Sequence, residues 1–355
     1  MENEKKFSFN TKDSKSNIMI INGKRKAPKD VKILVKKGEI KKSEKYKYLG
    51  TWLNNRGTFK DHLDYLKSIT PGMIEQLKKF GCSYKLGRFN ISGQLLIYET
   101  TVLPAILYNL EAWTTFTKLE EEELEKIQAK ALKRIFELPT STPYIGILME
   151  TGLWTIKDQV VYKKMMLYKN VLNSDDSRIM KIIIENQMKN DDEGTWANEL
   201  KEKAKCYNID LNNCETMSKQ KWRKYVKDNI NNKIAKEVRE KSAEMTKLWY
   251  IKDNKFEMKN YIKTLSGKEI TSIMRIRLNM INIGVNYGKI DICRICQENI
   301  ETLEHLFSCD QIKNLIKSDI KIDMVSSENT SDLMTVNKYV NDVMELIKSK
   351  KILMS

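Results

Sequence analysis

The chain contains 355 residues, 41% of them hydrophobic, which is enough for two or three domains with substantial cores. Its net charge of +16 indicates a polyanionic partner, most often nucleic acid, or else a merely soluble lysine-rich protein. No run of about 18 apolar residues occurs and residues 1–10 are charged, so we expect neither a membrane span nor a secretory signal and predict an intracellular protein of the nucleus or cytoplasm.

Short apolar segments at residues 18–21 and 31–35 flank Asn22-Gly23, a dipeptide typical of tight turns. Residues 46–53 alternate aromatic and polar side chains, which is the pattern of a strand with one buried face. These segments predict a small antiparallel sheet that ends near residues 54–57. The remainder has helical periodicity, so the predicted fold class is mainly α, with a small N-terminal antiparallel β element.

Proline positions and capping patterns predict where the helices begin, bend and end. Pro71, within Thr70-Pro71-Gly72, could split the first helix, and Pro104 should kink or divide the second, because proline lacks a backbone N–H group. Thr117 and Glu120 form a capping-box pattern at the start of the third. The predicted helices span residues 59–80, 92–113, 117–138, 144–150, 156–172 and 177–189.

The segment from residue 193 to residue 265 is highly charged and predicts an extended helical linker. We expect a few large side chains, rather than a large core, to anchor it: Trp196, Trp222, Tyr225, Leu248 and Trp249. Another helix leads from Ser266-Gly267 into a cysteine-containing window, and the tail after Asp310 is amphipathic.

That window holds four metal-type side chains with the spacing Cys293-x2-Cys296-x8-His305-x3-Cys309. A Cys-x2-Cys pair places two thiolates on one tight turn, and residues four apart can share one face of a helical turn. All four positions of a tetrahedral Zn²⁺ site are filled, which predicts a structural zinc ion. The alternatives are buried cysteines that meet by chance, as we expect for Cys82, Cys206 and Cys214, and a disulfide, which an intracellular location disfavours.

Several blocks, taken in order, resemble the C-terminal part of a non-LTR retrotransposon reverse transcriptase. Tyr48-Leu49-Gly50 is similar to that family's primer-grip segment, and residues 9–15 to the stretch that closes its palm. Residues 95–113 are similar to its thumb, and Glu150-Thr151-Gly152-Leu153 to the elbow that follows. The Cys/His window resembles its CCHC zinc segment. The resemblance implies a palm remnant (1–55), a thumb-like domain (56–140), a helical linker (141–265), a zinc segment (266–318) and a helical tail (319–355).

One departure from this family concerns catalysis. Polymerase chemistry needs paired carboxylates that hold Mg²⁺, and the family carries them on an aromatic-Ala-Asp-Asp hairpin before the primer grip. No such motif precedes Lys45, and Asp175-Asp176 and Asp191-Asp192 stand in polar contexts typical of loops. We therefore assign no catalytic residues. We expect Mg²⁺ only in a full-length polymerase, with a separate upstream palm and fingers polypeptide as a potential partner.

The resemblance implies RNA or an RNA/DNA template–primer as the partner. Each set of candidate contacts has a simpler structural interpretation: a solvated charged face for the thumb residues, a plain strand packed on the thumb for the primer grip, and a fold-stabilising zinc site for the third set. Lys268, Lys289, Tyr287 and Phe307 could assist the third set. The candidate contacts are Lys126, Lys130, Lys133 and Arg134 in the thumb, Tyr48, Leu49 and Gly50 in the primer grip, and Arg275, Arg277 and Arg294 near the zinc segment.

A rival hypothesis makes the chain a stand-alone zinc-containing adaptor for nucleic acid or protein, with no enzymatic role. The two hypotheses differ in one expected surface. A polymerase fragment should leave an exposed apolar face where the palm would sit, around Trp52, Leu95, Ile97 and Val102. An adaptor should have that face polar or covered.

Overall fold

A computed structural model describes residues 16–21, 33–35, 38–81, 91–190, 192–251, 254–287 and 291–353 of the chain. Within these ranges the fold is mainly α, as predicted. The strands are β1 (Asn17–Ile18), β2 (Ile33–Val35), β3 (Gly38–Lys42), β4 (Lys45–Tyr48) and β5 (Thr51–Asn54). The helices are α1 (Lys60–Gly81), α2 (Ile91–Ile97), α3 (Leu103–Ile106), α4 (Lys118–Ile135), α5 (Tyr144–Thr151), α6 (Ile156–Leu172), α7 (Ile179–Asn190), α8 (Trp196–Cys206), α9 (Asn212–Thr216), α10 (Lys219–Ala243), α11 (Asn260–Thr264), α12 (Gly267–Arg277), α13 (Leu303–Ser308), α14 (Asp310–Ile316) and α15 (Thr330–Leu353).

The N-terminal strands form two small sheets, and their pairing differs from the predicted one. β1 runs parallel to β3, and β3 pairs antiparallel with β2. Residues 46–53 are not a single strand, because β4 and β5 form a hairpin that turns at Leu49-Gly50. Both turn residues have positive φ angles, 45° and 87°, as a type I′ turn requires. Asn22-Gly23 and residues 9–15 lie outside the described residues.

The two proline positions have different outcomes. α1 runs unbroken through Pro71, so the possible split does not occur; its apolar side chains Leu66 and Ile74, on either side of the proline, are both buried. Near Pro104 the predicted division does occur. A π-helical turn, Tyr98–Val102, separates α2 from α3, and the N–H of Leu103 donates to the carbonyl of Tyr98. This wider turn comes just before Pro104, whose missing N–H would interrupt a regular α-helix.

The capping box of α4 is present as predicted. The backbone N–H of Glu120 donates to Thr117 Oγ1 at 3.2 Å, and the N–H of Thr117 donates to the Glu120 carboxylate at 2.8 Å. The helix ends at Ile135 rather than Leu138, because Glu137 adopts a positive φ of 51° that α-helical geometry excludes. The predicted apolar stripe is buried: Leu124, Ile127, Ala131, Leu132 and Ile135.

The charged region from residue 193 to residue 265 has a larger core than predicted. α10 buries one side chain in every four, from Trp222 to Val238, against α5 and α6. Trp249, expected to be an anchor, is 54% exposed. Buried side chains from Phe59 to Ile347 form one continuous hydrophobic cluster. The domain boundaries given above therefore remain predictions, and helices on both sides of them share this core.

None of the helices in the described ranges is long and apolar enough to cross a bilayer.

Candidate metal centre and basic groove

The first two metal-type cysteines lie on a tight hairpin turn. The backbone N–H of Cys293 donates to the carbonyl of Asn299 at 2.7 Å, and the N–H of Gln297 donates to the carbonyl of Cys293 at 2.9 Å. Gln297 has a positive φ of 59°, which closes the turn. This geometry brings the side chains of Cys293 and Cys296 to the same side of the hairpin.

The other two ligands come from a short helix and its end. Thr302 caps α13 by accepting a hydrogen bond from the N–H of His305 at 3.1 Å. Cys309 follows the last residue of α13, and its N–H donates to the carbonyl of His305 at 2.8 Å. His305 and Cys309 are therefore one turn apart and project toward the same point.

The ligand atoms of Cys293, Cys296, His305 and Cys309 all lie within 4.8 Å of one another. Cys296 Sγ and His305 Nε2 lie 3.3 Å apart. A tetrahedral ion with metal–sulfur bonds of about 2.3 Å and metal–nitrogen bonds of about 2.0 Å separates its ligands by roughly 3.5–3.8 Å. The four side chains could thus hold one metal ion, and a Cys₃His donor set is compatible with structural zinc.

Burial and hydrogen bonding act on the thiols in opposite directions. Burial opposes ionisation of Cys296, but hydrogen bonds from the backbone N–H groups of Asn299 and Glu298 and from His305 outweigh it and lower the pKa of this thiol to about 6. Cys296 thus favours the thiolate form that binds metal. Burial raises the pKa of the Cys309 thiol to about 11, so a metal ion would have to displace its proton.

Two contacts hold this metal centre in the fold. Glu301 is fully buried, and it accepts hydrogen bonds from the backbone N–H of Arg294 at 3.0 Å and from its Nε at 2.9 Å. The Tyr339 hydroxyl of α15 donates to the carbonyl of Leu306 at 2.8 Å. Arg294 therefore orients the turn between the first two cysteines, and α15 anchors α13.

The side chains that were expected to bind nucleic acid beside this centre are mostly engaged elsewhere. Arg277 is buried: its Nε donates to the Glu150 carboxylate at 2.9 Å, and a second guanidinium nitrogen donates to the carbonyls of Val325 and Ser327. This burial contradicts the prediction that Arg277 binds phosphate. Arg275 is half-buried and donates to the carbonyl of Glu137.

Four other residues were expected to assist nucleic-acid binding beside this centre: Lys268, Tyr287, Lys289 and Phe307. Phe307 is buried against Tyr339, with ring centroids 5.1 Å apart, so its ring is not free to stack on a base. Lys268 is exposed. Lys289 and the side chain of Tyr287 lie outside the described part of the chain.

The three cysteines outside the metal-type cluster were expected to be buried. Cys206 is exposed, contrary to this expectation, whereas Cys214 is buried as expected. Cys82 is not among the described residues.

Sequence reasoning missed the role of Glu150. This carboxylate is fully buried at the end of α5 and accepts hydrogen bonds from Arg277 and from the hydroxyl of Tyr261, at 2.7 Å. It joins α5, α11 and α12, so the elbow segment ties together distant parts of the chain. One acidic residue at the end of the apolar run of α5 was the signal that could have identified it.

Three of the four predicted thumb cations line a groove between α1 and α4. Its volume is about 300 Å³, and Pro71, Ile74 and Ile127 form its apolar floor. Lys67, Lys126, Lys130 and Arg134 form its rim, together with two carboxylates, Glu75 and Glu123. Lys133 lies on the adjoining face of α4 and donates to the carbonyl of Thr140 at 2.6 Å. The structure therefore brings the predicted thumb residues together on one surface.

Ion pairs partly neutralise this rim. Glu123 contacts both Lys126, at 2.7 Å, and Lys67, and these hydrogen bonds lower its pKa to about 2. Arg134 pairs with Glu75 at 2.7 Å. Within the described ranges, Lys130 forms no ion pair. Four cations against two carboxylates leave the groove with a positive charge.

The β4–β5 hairpin packs against α1. Lys47 Nζ lies 4.3 Å from the ring centroid of Tyr65. Tyr65 and the groove residue Lys67 are about 200° apart around the helix, so the hairpin packs on the other side of α1 from the groove. Tyr48 and Leu49 at the hairpin tip are 58% and 73% exposed, so the expectation that the aromatic residues of a plain strand pack on the thumb does not hold for Tyr48. A Cβ atom at Gly50 would lie 3.2 Å from the Tyr108 ring, a contact tight enough to favour glycine.

The surface that separates the two functional hypotheses is largely covered. Leu95 and Val102 are buried, and Trp52 and Ile97 are half-buried. Other apolar side chains near the N-terminal sheets and the thumb are exposed instead: Ile21, Ile33, Leu34, Tyr48, Leu49, Leu96 and Tyr108.

The Asp175-Asp176 pair does not form a recognisable catalytic site. Asp175 accepts a hydrogen bond from the N–H of Ser177 at 2.8 Å in a polar turn, and Asp176 pairs with Lys181. Asp191 lies outside the described residues. Among the residues that the structure describes, the Cys₃His group is the only cluster of three or more side chains positioned to hold a metal ion.

Comparison of the chain with protein-family models, with curated proteins and with solved structures found no match.

Proposed function

We propose that this chain binds RNA or an RNA/DNA template–primer through the groove between α1 and α4, as the C-terminal part of a reverse transcriptase of the non-LTR retrotransposon type. The observation that carries this proposal is the groove, because its rim is positive and its floor is apolar. Phosphates would contact Lys67, Lys126, Lys130 and Arg134, while sugar edges would lie over Pro71 and Ile127.

The hairpin supports the same proposal. Tyr48 and Leu49 are exposed at its tip. An unpaired base of the bound nucleic acid would stack on the exposed ring of Tyr48. The exposed apolar side chains of the N-terminal strands, such as Leu34, agree with a palm remnant that another polypeptide segment would cover.

We further propose that the Cys₃His cluster holds zinc in a structural role. Four protein ligands leave no open position for water or substrate, so zinc here would organise the fold rather than act as a Lewis acid. Cys293 and Cys296 would fix the hairpin, and His305 and Cys309 would fix α13 against α15. The nearby Arg294 then contributes by orienting Glu301 and the turn, not by contacting nucleic acid.

Binding to a primer–template is expected to be micromolar or weaker and to fall steeply with salt, since each phosphate contact releases a counterion. The double variant Lys126→Gln/Lys130→Gln should weaken binding at about 0.1 M salt by at least tenfold, and it should reduce the slope of log Kd against log salt by about 1–2. Fluorescence anisotropy over a salt series measures both quantities.

A matched control is Lys221→Gln/Lys224→Gln, which removes the same charge from the exposed face of α10. This control should leave the binding slope nearly unchanged. Equal losses in the two double variants would mean that net charge, not the groove, binds the nucleic acid. Binding that does not depend on salt would contradict the proposal altogether.

No primer extension is expected from the purified chain with Mg²⁺ and all four deoxynucleotides, since no aromatic-Ala-Asp-Asp motif precedes Lys45 and the described ranges contain no group of three or more ligands, apart from the Cys₃His cluster, that could hold a metal ion. An assay with a labelled primer on an RNA template tests this, and a full-length polymerase serves as the positive control. Extension that copurifies with the chain and requires the template would show that the catalytic residues have been misjudged.

A stand-alone adaptor is the second candidate, and the burial of Leu95 and Val102 favours it. In that case the chain covers its own thumb face, and the groove need not meet a duplex. The salt series separates the two: groove-specific binding supports the first candidate, while no binding at low salt leaves the adaptor.

A further inference from the structure

One apolar surface is not explained by nucleic-acid binding. It lies on α7, where Ile179, Met180, Ile182 and Ile183 are 75%, 54%, 46% and 49% exposed. At 100° per residue these four side chains occupy one continuous face of the helix. The opposite side of α7 holds it to the protein: Ile184 is buried, and Lys181 donates to the carbonyls of Leu172 and Ser174. Exposed apolar surface of this kind usually marks a contact with another protein.

The charges at the edge of this face indicate which protein would make this contact. Arg178 and Glu185 are seven residues apart, about two helical turns, so they lie along the same edge of the apolar face. Among the described residues, neither forms an ion pair.

We propose that α7 pairs antiparallel with α7 of a second copy of this chain. A two-fold axis between residues 181 and 182 would place Arg178 of each copy opposite Glu185 of the other, because the two positions are symmetric about that point. The isoleucine faces would be covered at the centre, and Arg178 and Glu185 would be matched at the edge.

The expected dimer is weak. One face of a 12-residue helix is smaller than the interface of a typical stable complex, which buries roughly 1,200–2,000 Å². Dissociation in the micromolar range therefore fits this surface better than an obligate dimer.

The test is sedimentation equilibrium of the nuclease-treated full chain over a range of concentrations up to about 100 µM, where a micromolar dimer is well populated. The wild-type chain should show a monomer–dimer equilibrium. Ile179→Ser/Ile183→Ser should raise the dissociation constant at least about tenfold, because symmetry removes each contact twice. The control variant Leu119→Ser/Leu315→Ser removes two equally exposed side chains from other helices and should dimerise normally.

Charge reversal makes the test specific to the antiparallel arrangement. Arg178→Glu and Glu185→Arg should each weaken self-association, whereas an equimolar mixture of the two variants should form a heterodimer. The doubly exchanged variant Arg178→Glu/Glu185→Arg should dimerise like the wild type. A chain that stays monomeric at every concentration overturns the proposal, even if α7 then binds a different polypeptide. Failure of both the mixture and the double exchange would also overturn it.

Discussion

Cys296→Ala and His305→Ala are each expected to abolish high-affinity zinc binding and to unfold the segment from residue 291 to residue 317. The wild-type chain should carry about one zinc ion, since its four ligands fill a tetrahedral shell. Comparable structural zinc ions contribute on the order of 10 kcal/mol to folding. Zinc content is measured by native mass spectrometry, and local unfolding by hydrogen exchange.

The matched control is Cys206→Ala, because Cys206 is an exposed free cysteine outside the cluster. This variant should keep its zinc and the exchange protection of the wild type. A strong chelator should reproduce the effect of the ligand variants, and adding zinc back should reverse it. A wild-type chain that is free of metal and fully protected at α13 would refute the assignment.

The second large effect is expected on the free energy of unfolding, when one partner of the buried pair of Glu150 and Arg277 is removed. Both side chains are almost completely inaccessible, so Arg277→Met leaves an uncompensated carboxylate in the core. The expected loss is about 3–5 kcal/mol of unfolding free energy. One carboxylate oxygen of Glu150 already lacks a hydrogen-bond partner, so little compensation is expected after the substitution. Chemical denaturation followed by circular dichroism measures the loss.

The double variant Glu150→Gln/Arg277→Met should be more stable than the sum of the two single losses predicts, by about 1–3 kcal/mol, because the two side chains interact directly. Lys236→Met breaks a solvent-exposed ion pair with Glu240 and should change stability by less than about 0.5 kcal/mol. If Arg277→Met costs no more than this surface control, the pair does not hold α5 and α12 together.

Loss of Arg277 is also informative for function. If this arginine bound phosphate, its substitution would reduce nucleic-acid affinity in a chain that remained equally stable. The structure predicts the reverse, because the guanidinium donates to Glu150 and to two backbone carbonyls inside the fold. The same stability and binding assays therefore separate a buried structural arginine from a surface contact.

Local features were well predicted from the sequence. The capping box of Thr117 and Glu120, the bounds of α6 and the convergence of the Cys/His window each depend on residues a few positions apart. Such features follow from backbone geometry and side-chain spacing, which a short stretch of sequence contains in full. The mainly α fold class follows from the same periodicity.

Features that depend on contacts between distant residues were not predicted from the sequence. The sequence around Arg277 suggests a surface cation, but the residue is buried, because it pairs with Glu150, which lies 127 residues earlier in the chain. Pro71 reads as a helix breaker, but packing of Leu66 and Ile74 keeps α1 continuous. The segment from residue 46 to residue 53 reads as one strand, but Leu49 adopts a left-handed conformation that lets β5 fold back on β4.

The sequence by itself therefore determined the helical class, the four candidate metal ligands and the run of cations in the second half of α4. Only the tertiary structure decided which cations stay at the surface, as Lys130 does, and which are buried and hydrogen-bonded inside the fold, as Arg277 is. It also decided that Leu95 is covered and that Ile179 is not. The physical reason is that burial is a property of the whole fold: it depends on which distant side chains meet, and a local pattern of residues cannot specify that meeting.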